Sequence, residues 1–241
     1  MDADVTEGGG IAAVMPDSIT PAQVARALGV NRISVSPAIA RDDGSVWVLR
    51  PRATRIGRIQ LVPAGGAAEP DAIRLIDAAA FGTGLHPTTA LCLELLEELV
   101  DAAAPETVLD VGTGSGVLAL AALELGVPRA VGIDVDEEAL RVAAENARIN
   151  GVERRLELRR AGPDAITGTW PLVLANVLAA PLIEMAPALV RRVGHHGQLV
   201  LSGIPASAEQ DVDRAYQRLG MRRVRANARA GWIALVLQAS W

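Results

Sequence analysis

The sequence predicts an α/β fold in which a mostly parallel sheet carries helices on both faces. From residue 73 onward, short apolar runs alternate with segments of helical length, which is the pattern of repeated strand–helix units. A turn with three glycines, residues 112–116, directly follows one apolar run, and the next apolar run ends in Asp134. We therefore expect a doubly wound, Rossmann-like sheet of seven strands with a C-terminal antiparallel hairpin and a short N-terminal appendage.

The appendage lacks the regular alternation. We divide the chain into a short N-terminal segment, residues 1–62, and a larger domain, residues 63–241. Residues 1–18 are acidic and rich in glycine, which predicts disorder. A capping threonine followed by proline predicts a helix over 20–28. Alternating residues predict strands at 32–36, 45–49 and 56–62.

In the larger domain, five segments have the apolar spacing of helices, and seven runs have the length and composition of strands. The helices are expected at 87–100, 116–125, 136–149, 181–192 and 206–218. The strands are expected at 107–111, 130–134, 156–160, 172–177, 198–203, 222–227 and 232–238. Ala230 and Gly231 separate the last two strands and predict a tight reversal.

Composition limits the classes of function. The net charge is −5 and every basic residue is arginine, so no basic field favours direct binding of nucleic acid. The single cysteine, Cys92, excludes an internal disulfide and is typical of a reducing compartment. The most apolar window, residues 172–190, is interrupted by polar residues and prolines, so we expect no membrane span. No secretory signal is evident at the N-terminus, and a cytoplasmic location is predicted.

The spacing of the glycines indicates which cofactor the turn binds. Gly112, Gly114 and Gly116 form G-x-G-x-G, whereas a dinucleotide fingerprint would place its third glycine at Val117. We therefore predict S-adenosylmethionine (AdoMet) rather than NAD, with Asp134 accepting hydrogen bonds from the ribose hydroxyls. The alternatives are that the glycines form only a tight strand–helix turn and that Asp134 only caps a helix.

Other polar residues are expected beside this turn. Asp110 ends the first strand of the motif and either orients the turn or contacts the ligand. Asn176 ends strand 172–177, and ligands of open α/β sheets bind at such strand ends. The segment Phe81–Thr89 combines an aromatic residue with glycines and threonines next to a helix start. Within it, His86 is either a general base or a structural contact before Pro87.

The chain resembles the PrmA methyltransferases, which methylate large-subunit ribosomal protein eleven. The resemblance covers about residues 56–238 and is carried by five motifs. These are Ala80-Phe-Gly-Thr-Gly-Leu-His-Pro-Thr-Thr-Ala-Leu-Cys92, Leu109-Asp-Val-Gly-Thr-Gly-Ser-Gly116, Gly132-Ile-Asp134, Ala175-Asn-Val-Leu-Ala-Ala-Pro-Leu182 and Leu201-Ser-Gly-Ile204. The resemblance implies cofactor contacts at Thr89, Gly112, Asp134 and Asn176, and a protein substrate methylated on nitrogen.

The resemblance weakens at the front of the chain. The family has a ferredoxin-like domain there, which captures the ribosomal protein, and a tryptophan-rich linker. Here about 60 residues precede the match, and Trp47 is the only tryptophan among them. We expect residues 1–62 to be a reduced recognition domain.

The predicted function is thus AdoMet-dependent N-methylation, most simply of a ribosomal protein. Asn176 and His86 are the predicted catalytic residues, and no metal site is expected. The predicted cofactor-binding residues are Phe81, Thr89, Asp110, Gly112, Gly114, Gly116, Asp134 and Asn176. The alternatives are a small-molecule methyltransferase, a non-catalytic AdoMet-binding regulator and a dehydrogenase.

Overall fold

A computed structural model describes residues 3–6, 10–13, 39–40, 47–48, 53–66, 71–77 and 86–241. The chain divides into two compact units, Met1–Trp47 and Val48–Trp241. Residues 48–62, which composition groups with the N-terminal segment, therefore belong to the larger unit. The functional boundary after residue 62 stays a prediction.

Four short strands are described before residue 53: β1 (Ala3–Thr6), β2 (Gly10–Ala13), β3 (Ile39–Ala40) and β4 (Trp47–Val48). β1 pairs antiparallel with β2, and β3 pairs with β4. The disorder expected over 1–18 is wrong at β1 and β2, where β-branched residues favour extended backbone. The helix expected at 20–28 and the strand expected at 32–36 lie outside the described residues.

The larger unit contains the predicted seven-stranded sheet. Its strands are β8 (Thr107–Val111), β9 (Arg129–Asp134), β10 (Leu156–Arg160), β11 (Trp170–Asn176), β12 (Val193–Pro205), β13 (Met221–Arg229) and β14 (Trp232–Ala239). Their order is β10-β9-β8-β11-β12-β14-β13. All neighbours pair in parallel except β14, which runs antiparallel to both β12 and β13. The strand order therefore reverses at β8, which places a ligand crevice at the carboxyl end of that strand.

A small second sheet precedes these strands. It contains β5 (Thr54–Ile56), β6 (Ile59–Pro63) and β7 (Ile73–Leu75). β5 and β6 form a hairpin about Gly57, whose φ of 55° suits the turn, and β6 pairs in parallel with β7. The strand expected at 56–62 is wrong at its start, because Ile56 ends β5 and residues 57–58 form the turn, and the rest of the range lies in β6.

Helices cover both faces of the large sheet. They are α1 (Pro87–Ala103), α2 (Val117–Glu124), α3 (Glu137–Ile149), α4 (Ala179–Glu184), α5 (Ala186–Val190) and α6 (Glu209–Gln217). Successive strand residues alternate between two cores, as Val108 and Leu109 do in β8. The first core joins the sheet to α1–α3 and β5–β7, and the second joins it to α4–α6. Each fully buried leucine in these cores contributes roughly 2 kcal/mol.

Two expected elements differ in detail. The helix expected at 181–192 is broken at Met185 into α4 and α5, because Pro187 lies in the first turn of α5 and cannot continue the helix before it. The strand expected at 198–203 extends over Val193–Pro205, so it also includes His195 and His196. None of the described helices has both the length and the apolar character needed to cross a bilayer.

Arginine–carboxylate pairs line the two outermost strands of the large sheet. On β10, Arg159 Nε lies 2.7 Å from Glu157 Oε1 and Arg160 Nη1 lies 2.9 Å from Glu137 Oε2. On β13, Arg225 pairs with Glu98 and Arg229 with Glu94, both on α1. The charges on these edges are therefore largely compensated within the chain.

Candidate active site

The glycine turn joins β8 to α2 and is held by backbone hydrogen bonds. Gly112 N and Thr113 N both donate to Ile133 O, at 2.9 and 3.0 Å, and Gly116 N donates to Thr113 O at 2.8 Å. Gly112 has φ of 70°, and a Cβ added there would lie 2.7 Å from Val177 Cγ1. Glycine is thus required both by the left-handed backbone and by the close approach of the β11 end.

Asp134 ends β9 and binds the glycine turn directly. Its Oδ2 accepts from Gly114 N, and its Oδ1 accepts from Asp136 N, both at 3.0 Å. The cap of α3 is Asp136, whose Oδ1 accepts from Glu138 N, so Asp134 is not the helix cap. A carboxylate has about four acceptor positions, so two remain at Asp134 for hydroxyl donors.

Asp110 is buried beneath the turn. Its Oδ2 accepts from Thr113 Oγ1 at 2.7 Å, which fixes the carboxyl group to the turn. Among the described residues, Oδ1 has no hydrogen bond of ordinary geometry. Burial raises the pKa of Asp110 to about 7, against the lowering effects of the Thr113 hydroxyl and the nearby Ala119 backbone. A cation beside Oδ1 would favour the charged form of this carboxyl group.

Asn176 and Thr89 meet at the end of β11. Asn176 Nδ2 lies 3.4 Å from Thr89 Oγ1, in the first turn of α1, where Thr89 is fully buried. In the described part of the chain, the buried Asn176 Oδ1 has no partner. An oriented amide oxygen at this edge is suited to accept a hydrogen bond from a ligand amine.

His86 has a structural position at the start of α1. As the N-cap, its Nδ1 accepts from Thr88 N at 3.3 Å and lies 2.8 Å from Thr88 Oγ1. Its ring makes an edge contact with Trp232 at 5.0 Å between centroids. These contacts match the structural alternative, and a general-base role for His86 stays a prediction. Phe81 lies outside the described residues, so its predicted cofactor contact also stays a prediction.

Three groups near the site had no role assigned from the sequence. Ser202 lies opposite Asn176 in the β11–β12 pair, and Gly203 is the next residue of β12. Val177 N donates a hydrogen bond to Ser202 O at 3.2 Å. Ser202 Oγ donates to Thr88 O at 3.1 Å, which ties β12 to the start of α1. Val135, next to Asp134, is 70% exposed although it is apolar. The motif Leu201-Ser-Gly-Ile204 already indicated that Ser202 and Gly203 are important, but a sequence motif does not show which groups its residues contact.

We expect Asp134→Asn to raise the Kd for S-adenosylhomocysteine about tenfold or more, because hydrogen bonds to a charged acceptor are worth about 1.5–3 kcal/mol each. The variant keeps the shape of the side chain but places an amide NH2 against one backbone N–H, so the unfolding temperature should fall by about 2–4 °C. Isothermal titration calorimetry measures the binding. Asp136→Asn, at the neighbouring helix cap, is the matched control and should bind as the parent does. Unchanged affinity in Asp134→Asn would assign the carboxylate to the turn alone.

Comparison with known proteins relates this geometry to one family. A family model described as Ribosomal protein L11 methyltransferase (PrmA) matches residues 51–240. The ribosomal protein L11 methyltransferase of Pelobacter propionicus is 40% identical over 219 residues, which cover 87% of this chain and 70% of that protein. The protein of the same name from Geobacter sulfurreducens is 40% identical over 230 residues, covering 89% of this chain and 75% of that protein.

Solved structures agree with the fold. A ribosomal protein L11 methylase from Lactobacillus delbrueckii subsp. bulgaricus superposes with a TM-score of 0.71 at 29% identity, covering 80% of this chain and 99% of that chain. The N-methyltransferase NodS from Bradyrhizobium japonicum superposes with a TM-score of 0.51 at 15% identity, covering 65% and 90%. The second likeness shows the fold alone.

Proposed function

The chain belongs to the ribosomal protein L11 methyltransferase (PrmA) family and is an AdoMet-dependent methyltransferase, and on that basis we propose that it methylates amino groups of ribosomal protein L11. One observation supports the location of the active site and the type of reaction. The glycine turn, Asp134 and Asn176 lie at the carboxyl ends of the three adjacent strands β8, β9 and β11. This edge of the sheet is where the strand order reverses.

The residues at this edge fit the cofactor. AdoMet supplies a methyl group activated by a positively charged sulfonium, and it also carries an ammonium and a ribose. The buried Oδ1 of Asp110 suits a cationic group, and the remaining acceptor positions of Asp134 suit ribose hydroxyls. The exposed Val135 offers apolar surface beside that acid for an adenine base. We assign the cofactor contacts to these residues together with Thr89 and the three glycines.

Asn176 is proposed to orient the acceptor amine. Its Oδ1 accepts a hydrogen bond from the amine, while Nδ2 keeps the amide plane fixed through Thr89. Holding the nucleophile in line with the reacting carbon supplies most of the acceleration that such a transfer needs. An amine next to a cation and partly removed from water has a lowered pKa, which favours its neutral, nucleophilic form.

The protein substrate is proposed to be recognised by residues 1–62 and by the segment Phe81–Thr89. The support is chemical: the polar groups at the three strand ends are assigned to the cofactor and the amine, so surface outside the sheet is left for the rest of the substrate. The chain spans 70% and 75% of the two relatives described above. A variant that begins at Val48, where the larger unit starts, separates recognition of the substrate by residues 1–47 from cofactor binding.

We expect the full chain to transfer labelled methyl groups from AdoMet to purified ribosomal protein L11 and to bind AdoMet but not NAD in calorimetric titrations. The chain has no lysine, so labelling of its own lysine side chains cannot contribute background. Intact ribosomes and a pool of small amines serve as competing acceptors. Transfer to small amines alone would establish the small-molecule alternative, and saturable NAD binding with no AdoMet binding would contradict the cofactor assignment.

A further inference from the structure

Two asparagines lie at the C-terminal end of α3, Asn146 inside the helix and Asn150 as its C-cap. Asn146 and Asn150 lie four residues apart, at the end of the helix, so their side chains share one helix face. Asn146 is fully buried. Neither residue belongs to the glycine turn or to the strand ends described above, yet one of them contacts the turn.

Asn146 joins the glycine turn to the second sheet. Its Oδ1 accepts a hydrogen bond from Ile76 N at 2.9 Å, directly after β7. Its Nδ2 donates to Ser115 O at 2.8 Å, within the turn. One planar amide thus connects two backbone segments, and both of its ends are satisfied. Removing it would leave a buried N–H and a buried carbonyl without partners.

The peptide group held by Asn146 is a structural part of the turn. The Ser115 carbonyl belongs to the same peptide group as Gly116 N, which donates to Thr113 O at 2.8 Å. The helix also packs closely here, because a Cβ added at Gly116 would lie 3.2 Å from Ala143 Cβ. This peptide group is therefore fixed at both of its polar atoms and has little room to move.

Asn150 provides a natural contrast. Its Oδ1 accepts from Arg74 N and its Nδ2 donates to Arg74 O, both at 2.8 Å, so it pairs with the backbone of β7 as a neighbouring strand would. Nδ2 also donates to Asn146 O. These hydrogen bonds go to β7 and to the helix and not to the glycine turn. Both asparagines are therefore hydrogen-bonded to the backbone at or directly after β7, but of the two it is Asn146 that contacts the glycine turn.

We infer that Asn146 is a positioning residue for cofactor binding, which holds the Ser115–Gly116 peptide group in its binding orientation by anchoring it to the backbone after β7. The inference rests on the proposed function in that the ligand of the turn is AdoMet or its product. It assigns Asn146 no contact with the cofactor. Loss of the Ser115 hydrogen bond should weaken binding even where the fold is retained.

The experiment measures binding of S-adenosylhomocysteine by calorimetry to the full chain and to Asn146→Asp, Asn146→Ala and Asn150→Ala, with the unfolding temperature of each. Asn146→Asp keeps the acceptor for Ile76 N and replaces the donor to Ser115 O by a carboxylate oxygen. We expect Kd to rise about tenfold or more in both Asn146 variants and less than about twofold in Asn150→Ala. With AdoMet as substrate, KM should rise in the Asn146 variants while kcat stays within about twofold.

Parent-like affinity in Asn146→Asp would overturn the inference. An equal loss of affinity in Asn150→Ala would also overturn it, because the loss would then result from a less stable fold and not from the Ser115 hydrogen bond. A parent chain that does not bind the ligand would overturn the proposed function and the inference with it. If the variants do not fold, amide hydrogen exchange measured on the parent chain tests the inference instead. Ligand should slow exchange of the Ile76 amide more than that of Ala64, which donates to Leu75 O in the same small sheet. Equal slowing would contradict the inference.

Discussion

Replacing Asn176 with alanine is expected to lower kcat for methyl transfer about 100-fold or more, because small errors in placing a nucleophile are costly. The structure fixes the Asn176 amide through Thr89 and leaves Oδ1 buried at the end of β11. Alanine removes the group that orients the amine without opening a large cavity. The affinity for S-adenosylhomocysteine should fall much less than kcat. Single-turnover methylation of ribosomal protein L11, with calorimetry in parallel, measures both quantities.

Two further variants test the cause of that loss. Asn176→Asp keeps an acceptor oxygen, and the Thr89 hydroxyl can donate to it, so we expect a smaller loss of about tenfold. Asn227→Ala is the control. Asn227 lies on the outermost strand β13, which β12 and β14 separate from β11, so this variant should retain parent activity. A kcat for Asn176→Ala within about threefold of the parent would exclude Asn176 from the reacting centre.

Gly203→Ala is expected to remove most activity and to lower the free energy of unfolding by about 2–4 kcal/mol. Gly203 has φ of 84°, and an added Cβ would lie 2.2 Å from Val177 O and 2.6 Å from Val177 C. The clash is with backbone, so Val177 and the adjacent Asn176 must move. Activity and chemical denaturation of the same preparation test the two effects together.

Gly231→Ala is the matched control for backbone strain. Gly231 has φ of 80°, nearly the same as Gly203, but an added Cβ would have no atom within 4 Å among those described. This variant should lose only about 1 kcal/mol of stability, from the strained backbone, and should keep its activity. If both variants lost stability and activity equally, the close contact with Val177 would not be the cause.

The sequence predicted the sheet well where signals were local. The strands 107–111 and 156–160 have the expected bounds, and the reversal at Ala230 and Gly231 lies between β13 and β14 as expected. Such segments carry their pattern within a few residues. The break at Met185 had a local signal in Pro187, but the apolar spacing on both sides continues through it and predicts one helix.

The site was predictable in part for the same reason. The glycine turn and Asp134 form a pattern within one strand–helix–strand unit, so spacing alone brings them together. Asn146 and Ser202 contact the turn and α1 from distant parts of the chain, at separations of 31 and 114 residues. Contacts of this kind depend on how helices and strands pack, and no local pattern in one sequence reports them.

The paired arginines on β10 and β13 have a consequence for how the molecule behaves at high concentration. An outermost strand presents unsatisfied backbone groups that can recruit a strand from another molecule. β13 and β10 carry Arg225, Arg229, Arg159 and Arg160, whose guanidinium groups pair with carboxylates. A strand added there would lie beside this row of charged side chains, and charged residues on an outermost strand disfavour such pairing. The same residues that neutralise one another therefore disfavour edge-to-edge aggregation of the sheet.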